Sequence, residues 1–324
     1  MRKMRKWYSK GLLSVLALML IGWSEQVQSQ EKYPTRPIDL IVPYSAGGST
    51  DLLGRLTADY LKAKWGVPIN VVNKPGGNGV PATVEVVRAA PNGYSLLVDS
   101  QGTTSLLEVT VKTLPFAITE RTFIAILGSA PHALSIPSTS PFKTLEELIA
   151  EIKRNPEKIS YGSLGGASAG DYATRQLFKA IGVDVSKTKG IMTTGGSASV
   201  TLVAGGHVTF ASNSIPSSLP AIKGGTIKPL FVTMDTRHPD LPDVPTAKEA
   251  GYPTVTAKHW VGISGPPKLP SHIVERWEKS LFEMMQDPEF ISKVKKIGVW
   301  PFYHNAEASR ELIIKEIEEM KQLF

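Results

Sequence analysis

The residues best placed to do chemistry in this chain are small and mostly uncharged. Pro43-Tyr44-Ser45-Ala46-Gly47-Gly48-Ser49-Thr50-Asp51 joins an apolar run, Ile38 to Val42, to a segment with leucines at helical spacing. Two consecutive glycines let a ligand approach the main chain, and the start of the following helix offers N–H groups and partial positive charge, so a carboxylate or phosphate suits the geometry. The same residues also suit a tight strand-to-helix turn with Asp51 on the helix dipole. A second loop, from Tyr161 to Asp171, repeats the pattern with Ser163, Gly165, Gly166, Ala167 and Ser168, and Gly195-Gly196-Ser197-Ala198 precedes a third helix. Ser163 and Ser168 can donate hydroxyl hydrogen bonds to an anion, although helix capping uses the same atoms. Three such loops at the C-terminal ends of strands predict several helix N-termini converging on one anion.

Other chemistry is thinly represented. Gly77-Asn78-Gly79-Val80-Pro81-Ala82 fits a dinucleotide-binding turn, with Asp99 at the end of the next strand, but Pro75-Gly76-Gly77 makes a sufficient turn without a cofactor. Ser163 lacks the first glycine of a nucleophile elbow. Cysteine is absent, which removes disulfides, thiol nucleophiles and Cys-based zinc sites. The six histidines are scattered without metal-ligand spacing and most of them read as surface or capping residues, so no metal and no cofactor is expected. Paired carboxylates such as Glu146-Glu147 and Glu318-Glu319 read as solvated helix faces.

The elements that must position these loops alternate. Ile38–Val42, Ile69–Val72 and Ser95–Val98 read as strands, separated by a helix closed by Gly66 and a second helix over Ala82–Ala90. Farther on, Ile124–Leu127 and Ala133–Ile136 read as two strands, and Thr144 to Asn155 as a helix with a capping box formed by Thr144 and Glu147. Ile159–Tyr161 and Val208–Phe210 read as further strands, and the C-terminal third as helical: Ile273–Gln286, Pro288–Ile297 and Ala306–Phe324. Such alternation predicts mainly parallel sheets flanked by helices. No linker separates two halves, so a two-domain chain would cross between them through strands, near Ser129 and Val232.

At the N-terminus, Arg2, Lys3, Arg5, Lys6 and Lys10 precede an apolar run from Leu12 to Ile21, the pattern of a secretory signal peptide, with cleavage expected after Ser29. Removing residues 1–29 takes away five basic residues and Glu25 and lowers the formal charge from +7 to +3. No basic patch interleaved with aromatics remains, so nucleic acid is not the expected partner. Export also takes the chain away from cytosolic nicotinamide pools.

Several longer motifs extend the pattern: Tyr33-Pro34 with Pro37-Ile38, Lys74-Pro75-Gly76-Gly77, Ala90-Pro91-Asn92-Gly93-Tyr94, Leu219-Pro220 with Ile222-Lys223, and Leu241-Pro242-Asp243-Val244-Pro245-Thr246 followed by Glu249-Ala250-Gly251. With the loops above, these make the chain resemble the substrate-binding proteins of tripartite tricarboxylate transporters, the Bug proteins among them. The resemblance implies an α/β, two-lobed periplasmic-binding-protein architecture with a ligand cleft between lobes: residues 30–129 and 232–324 as one lobe, 130–231 as the inserted lobe. It implies a periplasmic receptor, a monomer and not an enzyme, that closes on a small organic acid and delivers it to membrane permease subunits. One carboxylate would be held by Ser45, Ala46, Gly47, Gly48 and Ser49 with Asp51, and by Ser163, Gly165, Gly166, Ala167 and Ser168. Gly196, Ser197, Ala198 and Asn213 would face it from the inserted lobe, with Tyr44 as an aromatic wall. Asp171 stands where many relatives carry histidine; a carboxylate there has to cap its helix or meet a cationic group on the ligand. Two other readings stay open: a periplasmic hydrolase or isomerase using Ser163, and a receptor coupled to a membrane sensor kinase. Backbone donors recognise any carboxylate, so citrate-like acids, dicarboxylates, amino acids and aromatic acids fit equally.

Overall fold

In the computed structural model, which describes residues 32–321, the first hundred residues form β1 (Ile38–Val42), α1 (Ser49–Trp65), β2 (Ile69–Asn73), α2 (Val80–Val87) and β3 (Ser95–Ser100). The leader expected over residues 1–29 lies outside the described residues. β1 runs parallel to both β2 and β3, the arrangement that helical crossovers produce. α1 ends where Gly66 takes φ 70°, a left-handed cap that returns its N–H to the Lys62 carbonyl. The helix expected over Ala82–Ala90 starts two residues earlier and ends at Val87.

One strand replaces the two expected after it. β4 (Thr122–Pro137) is 16 residues long. Its first part pairs antiparallel with β9 (Lys258–Gly265), as far as Pro131↔Lys258, and with β10 (Trp300–His304) on its other edge. From His132 onward it pairs with β7 (Ala211–Ser214) and β8 (Ile227–Val232). Pro131 has no N–H to give and stands where one ladder stops and the next begins, a place a strand tolerates proline. β4 is therefore shared by two sheets, and residues Pro34–Phe324 cluster as one compact unit containing both.

The two-lobed α/β architecture is present, but its sheets are mixed where parallel ones were expected. Parallel pairing joins β1 to β2 and β3, and β5 (Ser160–Ser163) to β6 (Lys189–Met192). β9, β10, β7 and β8 all enter antiparallel. The cause is the crossing strand β4 and the returning strand β9, which give both sheets antiparallel neighbours. β9 and β10 also correct the helical reading of the C-terminal third. Gly262 and Gly265 in β9 and Pro301 in β10 interrupt the alternation that marks a strand.

The remaining helices are α3 (Ser105–Thr110), α4 (Leu145–Arg154), α5 (Ala169–Ile181), α6 (Gly196–Ala204), α7 (Ile215–Lys223), α8 (Ser271–Met284), α9 (Pro288–Lys296) and α10 (Ala306–Met320). α4 carries its capping box: Thr144 accepts from the Glu147 N–H, and the Glu147 carboxylate accepts from the Lys143 N–H. The strand expected at Val208–Phe210 begins instead at Ala211. Phe210 makes a single bridge to Tyr161, and its ring stacks on Tyr161 at 5.7 Å and near Phe178 at 6.3 Å. These rings join Leu148, Ile152, Leu177 and Phe231 in one hydrophobic core cluster.

Candidate functional site: a cleft faced by four helix N-termini

Four strands end at one cleft. β1 leads into α1 through Pro43–Gly48, β5 into α5 through Leu164–Ser168, β6 into α6 through Thr193–Gly195, and β7 directly into α7. The cleft encloses about 480 Å³ including its open mouth. Gly48, Ser49 and Thr50 line it from the start of α1, Ser168, Ala169 and Gly170 from α5, Gly196 from α6, and Ser214 and Ser217 from α7. Tyr44, Leu164, Ser212, Asn213, His132 and His259 complete the wall, and none of these lining residues is Asp, Glu, Lys or Arg. α1, α6 and α7 begin without a side-chain capping bond, which leaves their positive ends available. Close approach matters here: a Cβ on Gly196 would stand 2.7 Å from Ser217 Oγ.

Of the residues singled out in the sequence, Tyr44, Gly48, Ser49, Ser168, Gly196 and Asn213 line this cleft. Tyr44 offers its ring; burial pushes its phenol up to about 12, partly opposed by a hydrogen bond with Ser100. Ser45, Ala46 and Ser197 instead join the first loop to the third. Ser45 and Ser197 hydroxyls lie 3.0 Å apart, Ser197 Oγ donates to the Ala46 carbonyl at 2.7 Å, and the Ser45 N–H donates to Thr194 at 3.2 Å. Ala198 lies in the first turn of α6, outside the cleft lining.

Gly47 and Asp51 are outside the cleft lining and bond to each other. The Gly47 N–H donates to Asp51 Oδ2 at 2.9 Å, and Asp51 also accepts from Arg55 and Asn73. Burial raises the Asp51 carboxyl, but these donors outweigh it and hold the group below its ordinary value.

The second loop wraps around Asp171. Ser163 Oγ donates to one carboxylate oxygen at 2.5 Å; Ser168 Oγ and the Leu164 N–H donate to the other at 2.7 and 3.0 Å. Ser168 also caps α5 by accepting from the Asp171 N–H. Asp171 therefore caps and organises the loop, and Ser163, expected to reach the ligand, gives its proton to Asp171 while accepting from the Gly165 N–H. Gly165 and Gly166 supply the positive φ of that turn, and Ala167 is buried beneath it. Burial raises the Asp171 carboxyl above its ordinary value despite these donors.

The histidines correct the sequence reading most sharply. His132, His238 and His259 are buried, and two of them, His132 on β4 and His259 on β9, line the cleft. Their rings are 6.3 Å apart, and His259 stands 6.4 Å from the Tyr44 ring. His259 Nε2 lies 3.0 Å from Thr50 Oγ1, in the first turn of α1. Burial pushes His132 down to about 3, helped by its neighbour His259, and pushes His259 down to about 4, so both are neutral near pH 7. No local spacing could have paired them. They are 127 positions apart in the chain and meet only because β4 and β9 are adjacent.

Asp99, which completed the dinucleotide-like spacing, is also committed elsewhere. It forms a buried ion pair with Arg121 at 3.1 Å and accepts from Thr103 and Thr104 hydroxyls.

Known proteins are similar to this chain over most of its length. The UPF0065 protein in the gbd 5'region of Cupriavidus necator is 30% identical over 314 residues, 95% of this chain and 92% of its own. The periplasmic binding protein BugD is 28% identical, with a TM-score of 0.83 over 90% of this chain and 97% of its own. R. palustris Rpa4515, solved with adipate, is 25% identical, with a TM-score of 0.85 over the same shares. The family model described as the tripartite tricarboxylate transporter family receptor matches residues 53–324, and with that match over most of its length the chain belongs to this receptor family.

Proposed function

We propose that the protein is an extracytoplasmic receptor that binds a small organic carboxylate in the cleft, closes on it, and delivers it to a tripartite tricarboxylate-type permease in the membrane. The observation that carries this reading is four helix N-termini facing one cleft whose lining holds no charged side chain. Such a site draws an anion by backbone N–H groups and aligned dipoles, without a counter-ion of its own. The adipate in the related R. palustris structure supports a carboxylate as the anion. Residues 30–129 and 232–324 would form one lobe and 130–231 the other; the change of partners along β4 after Pro131, and the end of β8 at Val232, suit hinges at these places. A leader removed after Ser29 would put the receptor in the periplasm.

An enzymatic reading has less support. Ser163 Oγ donates to Asp171, and among the described residues no imidazole hydrogen-bonds to it. Thr50 does meet His259, but a base held near 4 is weak for work at neutral pH, and among the described residues no carboxylate hydrogen-bonds to it.

The test is a thermal-melt screen against aliphatic and aromatic carboxylates, each paired with its amide. A ligand at 100 times its Kd stabilises the folded state by about 2.7 kcal/mol, a shift of a few degrees. Shifts with acids and not with amides are expected, with the bound acid recovered unchanged. Turnover of the acid, or no shift with any acid, would sink the proposal.

A further inference from the structure

Tyr44 lines the cleft, but its hydroxyl belongs to a chain of bonds that runs away from it. Tyr44 Oη lies 3.1 Å from Ser100 Oγ, at the end of β3, and Ser100 Oγ lies 3.2 Å from Thr103 Oγ1. Thr103 Oγ1 is 2.7 Å from one oxygen of Asp99, whose other oxygen pairs with Arg121. All five residues are buried. Counting hydrogens sets the direction of this chain. Asp99 as a carboxylate only accepts, and its contact is the shortest that the Thr103 hydroxyl makes, so Thr103 spends its one hydrogen there. Thr103 then accepts from Ser100, and Ser100 from Tyr44; no other order gives every contact a hydrogen. The phenol proton therefore points into the core, and what Tyr44 offers the cleft is its ring. The loop after β3 also fits the phenol in shape. A Cβ on Gly102 would collide with Tyr44 Oη and stand 2.9 Å from the Ala167 carbonyl oxygen of the second loop.

We propose that Ser100 and Thr103 are positioning residues for ligand binding: anchored on the Asp99–Arg121 pair, they hold the Tyr44 ring as a fixed wall of the cleft and keep its hydroxyl from serving as a ligand donor. The inference rests on the carboxylate-receptor reading and adds to it two residues outside the cleft lining.

The experiment is calorimetric titration with adipate, malate, citrate and benzoate of the wild type, Tyr44→Phe, Ser100→Ala, their double variant, Thr103→Val and Thr103→Ser. Tyr44→Phe, Ser100→Ala and Thr103→Val are each expected to weaken the best-bound acid fivefold or more. The double variant should lie within twofold of the weaker single variant, because both changes cut one chain. Thr103→Ser keeps the hydroxyl and should lie within twofold of the wild type. Unchanged affinity in Ser100→Ala, losses that multiply in the double variant, or no recovery in Thr103→Ser overturns the positioning role, while binding by the wild type keeps the receptor reading intact. No binding of any of the four acids by the wild type overturns both. Should a variant fail to melt cooperatively, the Tyr44 hydroxyl proton decides, read by NMR in wild-type protein labelled with 13C-tyrosine. It must exchange slowly with water and remain protected when the acid is added; exchange at the rate of free tyrosine, with or without the acid, overturns the assignment.

Discussion

Two side chains and one missing side chain govern the cleft at the residue scale. The buried imidazoles of His132 and His259 have depressed pKa values, about 3 and about 4, so the unfolded chain takes up protons first as the pH falls. Their contribution to stability is whole above about pH 6.5, the ordinary histidine value, and is lost as the pH falls toward 4. Each imidazole adds up to about 1.4 kcal/mol per pH unit to the slope in that window. Urea denaturation from pH 7 to 4.5 should show His259→Gln losing one proton's worth of slope; equal slopes in variant and wild type would remove the imidazole from this account. Gly170 is the missing side chain. A Cβ there would collide with the Ser212 carbonyl, so Gly170→Ala has to push α5 away from β7. Overpacking of this kind costs about 1–3 kcal/mol, measurable as a lower denaturation midpoint, and binding of any acid should weaken with it.

At the scale of elements, the loops before α1 and α6 are the parts that meet. Ser197 bonds to both Ser45 and Ala46, and Gly195 leaves room for the contact, since a Cβ there would stand 2.5 Å from Ser45 Oγ. On the proposed hinge closure these loops meet only when the cleft is shut, so Ser197→Ala removes both bonds from the closed form; each is worth about 1 kcal/mol, and affinity for an acid ligand is expected to fall between fivefold and thirtyfold, mainly through a faster off-rate, while the melting temperature without ligand barely moves. Stopped-flow release kinetics check this, and an unchanged off-rate would detach the two loops from binding. The second loop works differently. Asp171 draws Ser163, Leu164 and Ser168 around itself, so its carboxylate shapes the loop before α5 while its charge is met by donors of the same loop.

For the whole molecule, the feature that most constrains the larger sheet is the Asp99–Arg121 pair. Both side chains are 1% exposed, and Arg121 also donates to the Thr103 carbonyl and the Thr104 hydroxyl, joining β3, the start of α3 and the start of β4. Arg121→Met would leave Asp99 buried without its counter-ion, a loss of about 3–5 kcal/mol. Chemical denaturation measures it, and Asp99→Asn combined with Arg121→Met should restore part of the loss. A change below about 1 kcal/mol would show that water reaches the pair. β4 belongs to the same scale: with the hinges proposed near Pro131 and Val232, closure on ligand is expected to reduce the radius of gyration.

Much of this protein was written locally. Glycine pairs after apolar runs, Gly66 closing α1, and Thr144 with Glu147 opening α4 are effects of neighbours within a few residues, and sequence spacing records them faithfully. So are the three loops that start α1, α5 and α6, which is why a third of the cleft wall, Tyr44, Gly48, Ser49, Ser168 and Gly196, was legible. β9 and β10 were not, because their glycines and proline hide the alternation and their pairing with β4 is made across more than 100 residues of chain. The histidines share that cause: alone, each looks like a surface residue, and burial on adjacent strands makes them a neutral pair. Ser163 and Asp171 show the same division at shorter range. Their residue types announced hydrogen bonding, but which atom each would meet depended on how the loop closed. Residue type and local spacing determined the anion-seeking loops; only tertiary structure decided which donors face the cleft, because burial and strand pairing are properties of distant segments brought together.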